Sequence, residues 1–389
     1  VAAPPPTARA VTWRDAGLHS RLLRGVNAAG AGLRALGVTL PSLAPEALAR
    51  AARREAGEDD FGDPGWREAL EVLGASLEAE ADLSTFGRIA LRGLVVGALA
   101  NRLRLLAWAR RHPEVREERI ERPFVVVGLP RTGTTLLSFL LGLDPNVRPL
   151  LHWEAAEPVP PPDLAGRADD PRIARAGRVL GQLASLNPAI PAMHPMGASL
   201  ATECVTLLVY DLRSLSIETQ ALVPSYGRWL EETDMRSAYA LHRLALQVLQ
   251  SRIPTPVWSL KTPNHLWCLD VLLEHYPDAR IVWTHRDPAK VVPSVASLVT
   301  AMQRANARHT DPRAVGAEWD RKLHLAVSRG LAFDERRGGA DWCHPLQYAD
   351  LVADPVGAVR DLYAHFGEAV STLHVRRMEA WMRDRPRDA

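Results

Sequence analysis

The apolar positions of the chain fall into short dense runs and longer periodic ones. The densest run is Phe124-Val125-Val126-Val127, β-branched and without a polar interruption, which predicts a strand buried on both faces. It leads into Gly128-Leu129-Pro130-Arg131-Thr132-Gly133-Thr134-Thr135, after which Leu136, Leu137, Phe139, Leu140, Leu141 and Leu143 recur as in a buried helix. Two more short runs predict strands: Val257–Leu260, ending at Lys261-Thr262-Pro263-Asn264-His265, and Arg280–Thr284, ending at His285-Arg286-Asp287-Pro288. Helices are predicted from Leu266 to His275 and from Ala289 to about Ala307. A last strand, Pro345–Tyr348, precedes a helix from Asp350 to Phe366. Between the first two strands, Arg148–Glu154 reads as a short strand or extended turn and Ala155–Pro171 as a surface loop. Arg172–Leu186 and Ala198–Leu215 read as helices, with an irregular apolar segment, Asn187 to Met196, between them. Strands alternating with helices predict a mostly parallel sheet, with ligands at the carboxyl ends of its strands.

Upstream the period changes to that of helices. One is predicted from Ser42, as N-cap, to Gly57, and others over Trp66–Ala79 and Asp82–Arg111. In the last, Leu91, Leu94, Val95, Leu99, Leu103 and Leu106 fall near one face. The Pro-rich first ten residues are expected to be mobile. The fold class is therefore α/β: a mostly parallel sheet flanked by helices, with a helical N-terminal region over residues 1–120 and the core over 121–389. The helical region reads either as a cap without chemistry or as part of the lining of an acceptor site.

Composition narrows the function classes. With a net charge of +2, nothing predicts a nucleic-acid partner. Cys204, Cys268 and Cys343 form neither a metal pattern nor a disulfide framework by spacing, so reduced thiols in a cytoplasmic protein are expected. Val1-Ala2-Ala3-Pro4-Pro5-Pro6 lacks the charged and apolar parts of a secretory signal. The apolar run from Gly93 to Ala100 is too short to span a bilayer, which leaves peripheral membrane contact open. Of 47 basic residues only Lys261, Lys290 and Lys322 are lysine. In so arginine-rich a chain a lysine marks a place where arginine does not serve, and this favours a specific task for Lys261.

The loop after the first strand supplies the chemistry. Gly128-xxxx-Gly133-Thr134-Thr135 is a nucleotide-binding loop with Thr134 where the phosphate lysine belongs. The loop keeps backbone N–H groups at a helix N-terminus, with Arg131 as fixed charge and Thr132, Thr134 and Thr135 as hydroxyl donors. Lys261 and Arg286 stand at two other strand ends, and Ser294 lies two helical turns beyond Arg286. Together they suit a nucleotide with anions at both ends.

This ordered set resembles the sulfotransferases that use 3′-phosphoadenosine 5′-phosphosulfate (PAPS), above all the bacterial branch with a helical N-terminal region, from about Ala44 to Gly367. The 5′-phosphosulfate loop resembles Pro130–Thr135. The 3′-phosphate motif resembles Arg286-Asp287-Pro288 with Ser294, and the strand lysine resembles Lys261. Tyr348-Ala349-Asp350-Leu351-Val352-Ala353-Asp354-Pro355 also fits the family. The resemblance implies a P-loop-like sulfotransferase fold and PAPS as donor. It further implies in-line transfer of a sulfuryl group to a hydroxyl or amine of a small-molecule, lipid or carbohydrate acceptor. Arg131 and Lys261 are expected to neutralise the leaving phosphate. For the general base, Glu154 beside Trp153, with a raised pKa, is favoured, with His265 orienting acceptor or sulfate and His152 as a third candidate. Apolar residues around Met193, Met196 and Trp229 suit a lipid or aromatic alcohol. The family also closes the 3′ side with a Gly- and basic-rich loop, which is expected about where the chain ends at Arg385–Ala389. Two other readings stand beside this one. A small-molecule kinase is opposed by Thr134 and by the want of an acidic strand end for Mg²⁺. A non-catalytic adenosine-bisphosphate-binding module is opposed by the full set Arg131, Lys261, Glu154 and His265.

Overall fold

Strand β1, Phe124–Gly128, is buried at every position and forms the middle of the sheet. The computed structural model describes residues 20–255, 257–338 and 342–383. Around β1 lie β2 (Val147–Pro149), β3 (Val257–Lys261), β4 (Arg280–His285) and β5 (Cys343–Gln347), in the order β2-β3-β1-β4-β5. Every pairing is parallel, with Val126 opposite Lys261 on one side and Val282 on the other. Their carboxyl ends therefore finish along one edge, and that edge carries the loop after Gly128, Lys261 and Arg286.

Alternation along β1 divides the interior. Phe124 and Val126 pack with Leu137, Leu140 and Leu141 of the Thr134–Leu141 helix and with Val359, Leu362 and Tyr363 of the Pro355–His365 helix. Val125 and Val127 face the other way, into a larger core. That core runs without a break into Leu48, Leu73, Leu91, Leu99 and Leu103 of helices Pro45–Ala56, Gly65–Ala79 and Thr85–Arg111. A side chain alternates faces at every residue of a strand, so one five-residue segment organises both layers.

Several elements differ from expectation. Ser42 does not cap the first of these helices; its Oγ accepts from the Ala44 N–H at 3.2 Å and the helix starts at Pro45. Ser84, not Asp82, opens the long one, accepting from the Gly87 N–H at 3.0 Å. Helix Ala198–Leu215 is broken into Val205–Leu208, a turn at Val209–Asp211 and Leu215–Gln220, with Leu212 at φ 55°. The break follows from fully buried Asp211, which takes Arg102, Arg213 and Ser237 at once. Glu154 lies not on an extended segment but on a short helix, His152–Ala156. Leu266–His275 begins as a tight turn, Pro263–Trp267, before its helix at Leu269. Helices Arg236–Gln250, Pro312–Arg336 and Thr372–Arg383 carried no expectation. The first ten residues and Arg385–Ala389, for which mobility and a closing loop were expected, lie outside the described residues.

Candidate active site

The loop is shaped by two glycines and one strained arginine. Gly128 sits at φ 134°, where a Cβ would meet Thr284 Oγ1 and would lie 2.6 Å from the Thr284 carbonyl of β4. Gly133, at φ 88°, starts the helix, and Arg131 between them holds φ 68°. These are left-handed conformations that glycine tolerates and other residues do not favour. Thr132 pins the loop. It is buried, and its Oγ1 donates to the Leu129 carbonyl and meets Thr284 Oγ1, both at 2.6 Å. Its hydroxyl, expected on the nucleotide, is thus committed to the fold. The first N–H groups of the helix, from Thr134 on, have no acceptor within it, and no side chain caps them.

Three strand ends meet at this loop. From β4, Arg286 Nη1 donates to the Arg131 carbonyl at 2.7 Å, and its guanidinium lies 4.0 Å over the Tyr348 ring. From helix Pro288–Asn306, Ser294 Oγ accepts from Arg131 Nε at 3.2 Å. Arg131 Nη1 also donates to the Met193 carbonyl at 3.0 Å. Burial, then the neighbouring Arg286, hold the Arg131 guanidinium below its ordinary pKa. Two guanidiniums side by side, with no carboxylate partner among the described residues, form a place where an anion relieves both desolvation and repulsion. From β3, Lys261 is almost wholly buried and its Nζ donates to Thr135 Oγ1 at 3.3 Å and to Glu203 Oε1 at 3.1 Å. The structure thus brings together Arg131, Thr135, Lys261, Arg286 and Ser294, with Gly133 and Thr134 at the helix start.

Glu154 and His265 are placed elsewhere. The Glu154 carboxylate has no exposed surface, and one of its oxygens takes Arg148 at 2.9 Å and Arg167 at 3.0 Å. The carboxylate expected as the base is thus paired with two arginines at once. His265 is also fully buried, with Nδ1 2.7 Å from the Tyr239 hydroxyl. Burial, then His242, drive its pKa well below that of free imidazole, so the ring is neutral. His152, half-buried, has its pKa lowered by burial as well. Trp229 is committed to Glu68 and Arg213, on the helical layer.

Glu203 and His194, which sequence reasoning did not single out, stand beside Lys261. Burial raises the Glu203 carboxyl, but Lys261 and His194 outweigh it and leave the pKa below the usual carboxylate value. His194 is lowered by burial, and the charges it feels are Glu203, Lys261 and Arg131. Neither has a motif around it. The one signal was the irregular apolar segment that contains His194. A cavity of about 290 Å³ opens at the far edge, against Phe124, Val147, Val257 and Arg280 at the starts of four strands, away from these groups. No described helix is long and apolar enough to cross a membrane, and the three cysteines are free.

A parallel sheet with a glycine-turned strand–loop–helix at its centre, and basic groups at the neighbouring strand ends, defines a P-loop-like α/β protein. The chain belongs to the sulfotransferase family, whose model matches residues 123–372. It is similar to the crystal structure of sulfotransferase STF9 from Mycobacterium avium, with TM-score 0.83 and 31% identity over 90% of each chain. It is also similar to that of STF1 from Mycobacterium tuberculosis H37Rv, with TM-score 0.79 and 34% identity over 87% of this chain and 93% of that one. The omega-hydroxy-beta-dihydromenaquinone-9 sulfotransferases Stf3 of Mycobacterium bovis and Mycobacterium tuberculosis are 32% identical to it over 146 residues. That match spans 37% of this chain and 37% of each Stf3 chain.

Proposed function

We propose that the chain moves a sulfuryl group from PAPS to the hydroxyl or amine of an acceptor. The observation that carries this reading is the joining of Arg131, Arg286 and Ser294 around one loop whose helix start lies beside Lys261. When bound, PAPS supplies an activated sulfuryl group on a phosphate leaving group. The loop N–H groups, Thr134, Thr135 and Arg131 hold the 5′ end, while Arg286 and Ser294 hold the 3′-phosphate. Lys261 Nζ, beside Thr135, neutralises charge on the oxygen that leaves. We assign the general base to Glu203, because its carboxylate stands within hydrogen-bond reach of Lys261 while Glu154 is closed off by two arginines. Geometry ranks candidates for a base before pKa does. His194 stands beside Glu203 to orient the acceptor. His265 buttresses the strand end that carries Lys261.

For the acceptor, a hydroxyl on an apolar molecule is favoured. Ile190, Met193 and Met196 are half-exposed on the segment that touches Arg131, and Stf3 is named for a menaquinone-derived acceptor. A peripheral encounter with a membrane and a cytoplasmic site of action follow from such an acceptor and a nucleotide donor.

The test is calorimetric titration with adenosine 3′,5′-bisphosphate, without added metal, on the wild type and Arg286→Ala. Binding is expected, weakened in the variant by ~1.5–3 kcal/mol, the value of a charged hydrogen bond. Failure of the wild type to bind, or Mg²⁺-dependent binding of ATP in its place, would overturn the donor assignment and favour a kinase.

A further inference from the structure

Beneath the Lys261–Glu203 pair lies a cluster of three groups that the proposed transfer does not use. Cys204, His242 and His265 are each fully buried, and one ligand atom from each lies within 4.8 Å of the other two. They come from three elements: the residue before helix Val205–Leu208, helix Arg236–Gln250 and the Pro263–Trp267 turn. Both imidazoles are held from behind. His242 Nδ1 is 2.7 Å from the Tyr276 hydroxyl, and His265 Nδ1 is 2.7 Å from that of Tyr239. On each ring Nε2 is buried without a hydrogen-bond partner. Buried polar atoms are nearly always satisfied, so two unpaired ring nitrogens beside a thiol ask for a common partner.

We propose that Cys204, His242 and His265 form a binding site for one thiophilic metal ion, Zn²⁺ in particular. Thiolate and imidazole are its preferred donors, and the Tyr239 and Tyr276 hydroxyls hold the far nitrogen of each ring where such sites keep an outer hydrogen-bond partner. Zinc–ligand bonds of about 2.0–2.3 Å place tetrahedral ligands about 3.5 Å apart, so closing the site takes a movement of about 1 Å. On ligation the thiol gives its proton to solvent, a Zn–S bond forms, and no oxidation state changes. The site also tells what the ion is for. The Cys204 N–H donates to the Lys261 carbonyl at 2.8 Å, and Glu203 precedes Cys204 in sequence. A metal here rivets together the two segments that carry Lys261 and its carboxylate.

The test uses the full chain purified from cells grown with added zinc, dialysed against a mild chelator and analysed for metal by mass spectrometry. A cobalt-substituted sample is examined by absorption. One zinc per chain and a thiolate-to-cobalt charge-transfer band are expected. Cys204→Ser should abolish the band and Cys268→Ser should leave it. Tyr276→Phe keeps all three ligands and the packing, and should weaken zinc by ~10–100-fold, as loss of an outer partner does. Trace metal together with no band in protein refolded with cobalt would overturn the proposal. So would a band that survives in Cys204→Ser.

Discussion

Two carboxylates compete for the role of base, and the structure predicts that their amide variants fail in opposite ways. Glu203→Gln keeps the shape of the side chain, and its amide oxygen can still accept from Lys261. The amide keeps a hydrogen-bond acceptor for Lys261 but removes the charge that faces this ammonium, itself 2% exposed, so the fold should lose ~1.5–3 kcal/mol, the value of a charged hydrogen bond. What it loses is the ability to take a proton. Removal of a positioned base costs ~10²–10⁴-fold in turnover, or about 2.7–5.5 kcal/mol of transition-state stabilisation. Glu154→Gln reverses the pattern. Its carboxylate is 0% exposed and serves Arg148, itself 6% exposed, and Arg167. Removing that charge leaves two guanidiniums without the carboxylate they share, Arg148 keeping only the neutral Leu249 carbonyl and Thr255 Oγ1, which costs ~3–5 kcal/mol of stability. Turnover per folded molecule should stay close to wild type. Denaturant melts followed by tryptophan fluorescence give the first quantity. Initial rates of bisphosphate release, normalised to the folded fraction, give the second. The assignment is refuted if Glu154→Gln, folded and still binding the bisphosphate, loses a hundredfold in turnover while Glu203→Gln does not. A His194→Asn variant that alone abolishes turnover would move the base to the imidazole.

Lys322→Met should cost ~3–5 kcal/mol in the same melts, because the fully buried ammonium is 2.8 Å from Glu218, 2.6 Å from Glu231 and 3.7 Å from Glu318. A stability equal to wild type would show that the three carboxylates do not depend on it. Glu218 carries a pH signature as well. Burial, against the pull of Lys322, raises its carboxyl to about 7 in the folded protein. The folded state then binds a proton that the unfolded state has lost between roughly pH 4.3 and 7. This contribution, at most about 4 kcal/mol, is fully present below pH ~4.3 and fades as pH rises through 7. Unfolding free energy from this group should fall between pH 5 and 8 in the wild type, and a Glu218→Gln variant with an unchanged slope would refute it. Gly128→Ala should abolish bisphosphate binding, since the new Cβ meets the Thr284 backbone at 2.6 Å and φ 134° excludes alanine. Unchanged affinity would mean that the loop can be built another way.

The parts legible in the sequence are those fixed by local patterns. An unbroken apolar run gives β1, glycines spaced around Arg131 give the loop, and parallel strands put Lys261 and Arg286 on one edge wherever else the chain goes. What was not legible depends on contacts distant in sequence. Nothing beside Glu154 announces that Arg148 and Arg167 close on it, whereas Glu203 comes to Lys261 through a backbone bond from Cys204 to a strand far along the chain. Cysteine spacing hid the Cys204–His242–His265 cluster for the same reason, because its ligands come from three elements rather than one motif. Scarcity of lysine did point to special positions, but to two of them. Lys322 is the second, where a compact ammonium sits among three carboxylates and the fork of the adjacent Arg321 meets Glu231 edge-on at 2.7 and 2.8 Å.

The helical layer, which sequence alone left between inert cap and acceptor lining, has a definite mechanical part in the site. Its long helix, Thr85–Arg111, buries polar residues that reach into irregular segments of the core. Asn101 Nδ2 donates to the Ala156 carbonyl at 2.7 Å, just beyond Glu154. Arg102 donates to the Phe61 carbonyl at 2.7 Å and ion-pairs with Asp211, on the segment that begins at Glu203 and Cys204. The Tyr210 hydroxyl donates from that same segment to the Ala155 carbonyl. These segments have little regular structure to fix them, so buried charged and amide groups do so, each satisfied by partners that apolar packing could not specify. The long helix thus braces both the segment just beyond Glu154 and the one that follows Cys204.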